Sequence, residues 1–166
     1  MPWIREAEIE QGKPAPAAII SVMSINPKAM DAVQNFGQSV TFGSSSLTRV
    51  QEEAIATVVA VANQCGYGAL THGGFFRRHS GDSALASNLL DDYSRADLDP
   101  RTRLMLDFAV RLTREPGSST AKDLEGLRRA GFDEEEIVSI ILITCLFNFM
   151  NRLASGFGVQ VPPTYR

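Results

Sequence analysis

The chain has 166 residues, of which 44% are hydrophobic and 21% are charged, so it is long enough to bury a core as one soluble domain. Its net charge of −3 excludes the basic surface that nucleic acids or acidic membranes attract. The longest apolar run, 137–150, is shorter than the roughly 20 residues of a membrane span. With no signal-peptide pattern and only two cysteines, far apart, we expect a cytoplasmic protein without a disulfide framework.

Residues 1–26 predict an N-terminal arm, because two prolines interrupt them. Trp3 and Ile4 are the residues expected to hold this arm against the body. Asn26 followed by Pro27 is a typical helix start, since the Asn caps free amides and the proline needs no donor. The apolar spacing that follows predicts a helix to about Phe42.

Capping residues and apolar residues at helical spacing predict the other helices. Thr48 and Gln51 fit a capping box, and Asp99 precedes a proline. The last helix is apolar nearly all round, so we expect it to be central or buried at a subunit interface. No segment alternates as a strand does. The sequence predicts an all-α fold of about seven helices, with an arm (1–26), a helical domain (27–155) and a tail (156–166). The predicted helices are 27–42, 49–62, 65–78, 82–93, 100–114, 121–130 and 134–155.

The segment 64–74 carries the reactive side chains of interest. Cys65 lies at a predicted helix start, where free amides favour the thiolate. His72 follows seven residues later on the same face, about 10 Å along the axis, which is too far for a direct hydrogen bond. Gly68 lies between them without a side chain, so a water or a small substrate could fill the space. The alternative is that Cys65 is a buried small residue and His72 a structural one.

Glu53 is a candidate proton-transfer residue, because its helical neighbours on one face are small. A carboxylate on such a face is readily desolvated against another helix. The alternative is a surface Glu53 paired with Arg49. Of the two adjacent glutamates, Glu52 is expected to face solvent.

The last helix contributes further polar and thiol groups. Cys145 lies within an apolar run and is predicted to be an inert core thiol. Asn148, Asn151 and Arg152 are polar insertions, and Asn148 and Arg152 share a face that could line a pocket or bridge subunits. A plain helix C-terminus would explain them equally well. Two histidines and no cysteine pair predict no metal site, and no cofactor motif is present.

These residues resemble the alkylhydroperoxidase AhpD-like branch of the carboxymuconolactone decarboxylase family, in its peroxidase-related subgroup. The family motif is a Glu, then Cys-x-x-Cys twelve residues later, then a His four residues after the second Cys. Glu53, Cys65 and His72 match it, whereas Gly68 replaces the second cysteine. The resemblance extends over most of the chain after about residue 25, and it is carried by 47–53, 62–68, 72–73, 81–82, 92–93, 96–98, 106–109, 112–114 and 147–152.

The resemblance implies an AhpD-like helical fold that assembles as a dimer, trimer or hexamer, with an antioxidant, peroxide-related activity. It implies catalytic roles for Glu53, Cys65 and His72, in a pocket with Tyr67 and Gly68. In the family, the resemblance implies, the two cysteines of the motif form a disulfide. Gly68 replaces the second cysteine, so that disulfide cannot form here and three hypotheses remain. The chain is a single-cysteine peroxidase that uses a hydroperoxide and an external thiol, or an oligomeric binding scaffold without chemistry, or a cofactor-free decarboxylase-like lyase that uses Glu53 and His72.

Overall fold

The computed structural model describes residues 2–4, 7 and 17–161, and no strand occurs within them. The predicted all-α fold is confirmed, and the seven predicted helices correspond to α2–α8. One additional turn of helix, α1, lies within the predicted arm. The helices are α1 (Ala18–Ser21), α2 (Pro27–Val40), α3 (Arg49–Ala62), α4 (Gly66–Ser80), α5 (Ser83–Asp92), α6 (Pro100–Arg114), α7 (Ala121–Arg129) and α8 (Glu134–Phe157).

Helix α3 lies at the centre of the fold and packs against α4, α5, α6 and α8. Every residue from 52 to 60 is buried, because the small and β-branched side chains of this helix let its neighbours approach from all sides. Any polar group on this stretch of α3 is therefore withdrawn from water.

The predicted caps are confirmed. The Thr48 hydroxyl accepts a hydrogen bond from the Gln51 backbone N–H, and the Gln51 side chain accepts one from the Thr48 N–H at 2.9 Å. The Asp99 carboxylate accepts from the N–H groups of Arg101 and Thr102. These bonds satisfy amides that have no partner within the helix, so they set where α3 and α6 begin.

Two left-handed turns decide where α2 and α3 end. Helix α2 ends two residues before the predicted boundary, because Phe42 and Gly43 have φ angles of 58° and 89°. After α3 the left-handed residue is Gln64, with a φ of 56°. Phe42 of the first turn lines the cavity beside His72.

Helix α8 has one buried and one exposed face, so it is not buried all round. Its length and hydropathy would allow a membrane span, yet half of that stretch is buried within the fold, as in a core helix. Its outer face carries an apolar stripe formed by Val138, Leu142, Cys145 and Phe149. The prediction of Cys145 as a core thiol is therefore wrong, because apolar residues on both faces of a helix conceal which face is buried.

The described part of the predicted arm packs onto the body. Residues 17–26 contribute the buried side chains of Ile19 and Val22. The backbone N–H of Trp3 donates to the carbonyl of Phe157 at 2.9 Å, and its ring covers Gly158, where any Cβ would collide with it. The remaining arm and tail residues, 1, 5–6, 8–16 and 162–166, lie outside the described residues.

Candidate active site

Glu53 and His72 are brought together by the packing of α3 against α4. The Nδ1 atom of His72 lies 2.7 Å from Oε2 of Glu53. The Glu53 side chain is 2% exposed and that of His72 is 12% exposed, so the hydrogen bond is largely shielded from water. The two residues are 19 positions apart in sequence, and the packing of α4 against α3 brings their side chains into contact.

Arg49 joins this pair to a second buried carboxylate. Its guanidinium bonds Oε1 of Glu53 and lies 2.8 Å from Oε2 of Glu52. Glu52 is 1% exposed, so the prediction that it faces solvent is wrong. The turn after α2 explains its burial, because the Gly43 N–H and the Ser45 hydroxyl both donate to its carboxylate.

The contacts fix the tautomer of His72. The guanidinium of Arg49 is always charged and pairs with Glu53 as a carboxylate, which can only accept hydrogen bonds. Nδ1 of His72 must therefore carry the hydrogen, and Nε2 is the acceptor in the neutral ring. No hydrogen bond to Nε2 occurs among the residues that the structure describes.

His72 is joined through Glu53 to a cluster of charged side chains. Glu52 and Glu53 contribute two negative charges, and Arg49 contributes one positive charge. An imidazolium at His72 would bring the cluster to neutrality, and Glu53 would bond it directly. The arrangement is therefore suited to general acid–base chemistry.

Aromatic rings hold the imidazole in place. The ring centroids of His72 and Phe147 are 4.4 Å apart, at an interplanar angle of 68°. The ring of Phe75 lies 5.8 Å away, also edge to face. With Nδ1 bonded to Glu53 and two rings packed against it, the imidazole has a fixed orientation.

His72 lines a cavity of about 550 Å³ between α1, α2, α4 and α8. This volume suits a small organic molecule. No Lys, Arg, Asp or Glu lines it among the described residues, and its polar side chains besides His72 are Gln34, Gln38, Thr71, Asn151 and the predicted pocket residue Tyr67. Most of the walls are apolar and include Ile19, Val33, Phe42, Phe75, Leu146 and Met150.

The space beside Gly68 is occupied by Asn151. A Cβ built on Gly68 would overlap Oδ1 of Asn151 and lie 3.0 Å from Cβ of Ala60. The sequence had left this space for a water or a small substrate, and this expectation is corrected: an amide side chain takes the room that a second cysteine would need. The rest of the cavity remains open beyond it.

Cys65 lies outside the cavity. It precedes the first residue of α4, is 5% exposed and packs with Ile19 and Ala154. Cys145 lies nine residues before Ala154, about 13 Å along α8, and both thiols are free. Although Cys145 is exposed, partial desolvation by its neighbours raises the pKa of its thiol. The structure thus brings Glu53, His72, Tyr67 and Gly68 together at one site. Cys65 does not line the cavity of that site.

Asn148 and Arg152 do not line the cavity. The Asn148 side chain accepts a hydrogen bond from Asn63, the residue after α3, at 3.0 Å. It also donates to Thr113 of α6 at 2.9 Å and accepts from Arg152 at 2.9 Å. These bonds connect α8 to α6 and to the end of α3. They occupy both the oxygen and the nitrogen of the Asn148 amide.

Asn151 and Thr71 are site residues that sequence reasoning missed. The only available signal for Asn151 was a polar residue within the apolar helix. No group of three or more metal-ligating side chains occurs in the described part of the chain.

Comparison with known proteins shows the family to which the chain belongs. No protein-family model and no curated protein matches the chain. A peroxidase-related protein from Silicibacter sp. TM1040 is 34% identical, with 89% of this chain and 77% of that one covered and a TM-score of 0.84. One with an alkylhydroperoxidase AhpD core, from Ralstonia eutropha JMP134, is 28% identical over 89% and 78%, with a TM-score of 0.84.

A third structure, from Agrobacterium tumefaciens, is described as a putative antioxidant defence protein AhpD. It is 28% identical and has a TM-score of 0.71, with 84% of this chain and 94% of that one covered. Shared fold, coverage and identity lead to one conclusion: the chain belongs to the AhpD-like, peroxidase-related protein family.

Proposed function

We propose that the protein is an enzyme in which His72, oriented by Glu53, moves a proton to and from a small, uncharged substrate in the cavity. The observation that carries the proposal is the 2.7 Å hydrogen bond that Nδ1 of His72 donates to Glu53, which leaves Nε2 for a ligand. Members of the family are described as peroxidase-related. Proton transfer by His72 would differ from peroxide reduction, but it would use the Glu and His positions of the family motif.

The cavity lining supports an apolar, uncharged substrate. A carboxylate or phosphate group would find no cation among the described lining residues. Burying an unpaired anion is unfavourable, whereas an aromatic or aliphatic body gains from contact with the apolar walls.

The reaction classes open to such a site are isomerisation and elimination. Nε2 would take a proton from an acidic C–H bond, and the imidazolium would be stabilised by Glu53. The same nitrogen would return the proton to another atom. Glu53 acts as a positioning residue in this scheme, because it touches His72 and not the substrate.

Deuterium exchange into 2-acetylnaphthalene tests the proposal. This ketone is uncharged, and each exchange of its methyl hydrogens records one proton transfer. We expect exchange above the buffer rate, and a loss of at least about 100-fold in His72→Gln, as for removal of a general base. His79→Gln is the matched control, because this other histidine is exposed at the end of α4. Equal exchange by both variants would overturn the proposal.

Single-cysteine peroxide reduction is the main rival. Cys65 would take one oxygen from a hydroperoxide, giving a sulfenic acid and an alcohol, and two external thiols would restore it with release of water. Its burial outside the cavity argues against this route. Peroxide consumption with dithiothreitol that disappears in Cys65→Ser would favour the rival. Absence of both peroxide consumption and ketone exchange would favour a binding scaffold.

We extend the proposal to assembly and location. The stripe of four exposed side chains on α8 has the alternating four- and three-residue spacing that packs against another helix, so we infer that it pairs copies of this chain. Two free cysteines suit a reducing cytoplasm.

A further inference from the structure

Two buried polar groups in the cavity wall have no hydrogen-bond partner among the residues that the structure describes. They are Nδ2 of Asn151 and Oγ1 of Thr71, and no described residue satisfies either atom. Asn151 is 3% exposed, so water reaches it poorly. An unpaired buried donor is costly to a fold, and a ligand that accepts its hydrogen bond removes that cost.

Both groups belong to residues that line the same cavity as His72. Asn151 rests against Gly68, which precedes Thr71 by three residues and His72 by four on α4. Positions three and four apart on a helix share one face, with Cβ atoms about 5–6 Å apart. The amide, the hydroxyl and the imidazole are therefore within reach of one small functional group.

From this arrangement we infer that the substrate is a carbonyl compound whose oxygen accepts hydrogen bonds from Nδ2 of Asn151 and from the hydroxyl of Thr71. The hydrogen that His72 removes is then on the carbon next to that carbonyl. This inference rests on the proposed function and names its substrate class.

The proton transfer balances without a further reactant. Nε2 of His72 takes the proton from the α-carbon, and the electron pair of the C–H bond forms the C=C bond of an enolate. The carbonyl π electrons move to oxygen, where Asn151 and Thr71 donate to the developing negative charge. Return of the proton from the imidazolium to carbon restores the enzyme.

Gly68 makes room for the Asn151 amide that donates to the carbonyl oxygen. Any side chain at position 68 would displace the Asn151 amide, since its Cβ would already overlap Oδ1. Glycine in place of the family's second cysteine thus allows a fixed hydrogen-bond donor where the thiol would be.

The test compares three ligands of similar shape by ligand-observed NMR titration. They are 2-acetylnaphthalene, its hydrocarbon analogue 2-isopropylnaphthalene, and the anion 2-naphthoate. We expect the ketone to bind about 10-fold more tightly than the hydrocarbon, and naphthoate to bind most weakly. Asn151→Leu should abolish the preference for the ketone and retain hydrocarbon binding, whereas Asn88→Leu, at an exposed position on α5, should preserve it.

The preference is a ratio within one variant, so partial unfolding does not imitate its loss, and Thr71→Val supplies a second variant with a smaller expected loss. Equal binding of ketone and hydrocarbon by the native protein would overturn the inference, as would a preference that survives Asn151→Leu. A clear preference without deuterium exchange would overturn the proposed function and leave the carbonyl site standing. Deuterium exchange without a preference for the ketone would overturn the carbonyl site and leave the proposed function standing.

Discussion

Gly68→Ala tests whether the Asn151 side chain is fixed against α4. The substitution adds one methyl group inside a helix. Where space is open, Gly→Ala within a helix stabilises by up to about 1 kcal/mol, because Gly has the higher backbone entropy in the unfolded chain. At position 68 the methyl would overlap Oδ1 of Asn151 and lie 3.0 Å from Cβ of Ala60. The substitution should therefore destabilise the protein instead of stabilising it.

Gly74→Ala provides the matched reference. Gly74 lies on the same helix, and a Cβ there meets nothing within 4 Å. Overpacking of a buried site costs about 1–3 kcal/mol, so the free energies of unfolding of the two variants should differ by that amount. Gly74→Ala should be stabilised by up to about 1 kcal/mol. Gly68→Ala should be less stable than the native protein.

Urea unfolding followed by far-ultraviolet circular dichroism measures both free energies. Adding Asn151→Ala to each variant completes a double-mutant cycle. We expect a coupling of about 0.5–3 kcal/mol between positions 68 and 151, and none between 74 and 151. Equal stabilisation by Gly68→Ala and Gly74→Ala, or a cycle without coupling at position 68, would refute the placement of Asn151.

Three further predictions concern other parts of the chain. In Cys145→Ser the remaining thiol, Cys65, is expected to resist a thiol reagent until the protein unfolds, because it is 5% exposed; rapid native labelling would support the single-cysteine hypothesis. Replacing Leu142 and Phe149 together by Glu should lower the mass seen in sedimentation while ketone binding is unchanged, and an unchanged mass would argue against pairing through α8. Burial and the hydrogen bond to Asp107 raise the pKa of Tyr93 to about 12, so one of the three tyrosines should titrate late. The folded form then holds its proton longer than the unfolded form, so stability should fall from about pH 10 toward pH 12, and Tyr93→Phe should lessen that fall.

Much of the helical architecture could be predicted, because its signals are local. The Thr48–Gln51 box and the Asp99 cap lie at the ends that they define, and apolar spacing follows from the helix period. The Glu53 and His72 positions were also predictable, since a family motif records their pairing.

The polar half of the site could not be predicted, because it depends on contacts between distant segments. Asn151 reaches Gly68 across 83 positions of sequence, and no spacing rule reports that approach. Glu52 is buried because the left-handed turn after α2 aims the Gly43 N–H at it. Cys145 was misplaced because apolar residues cover both faces of α8, and only the packing distinguishes the core face from the exposed stripe.

The most direct test of the central claim is the rate of deuterium incorporation into 2-acetylnaphthalene at matched ketone occupancy. If His72 transfers the proton, His72→Gln lowers this rate at least about 100-fold and Cys65→Ser leaves it near the native value. A native rate in His72→Gln, or a loss that follows Cys65 instead, would contradict this claim.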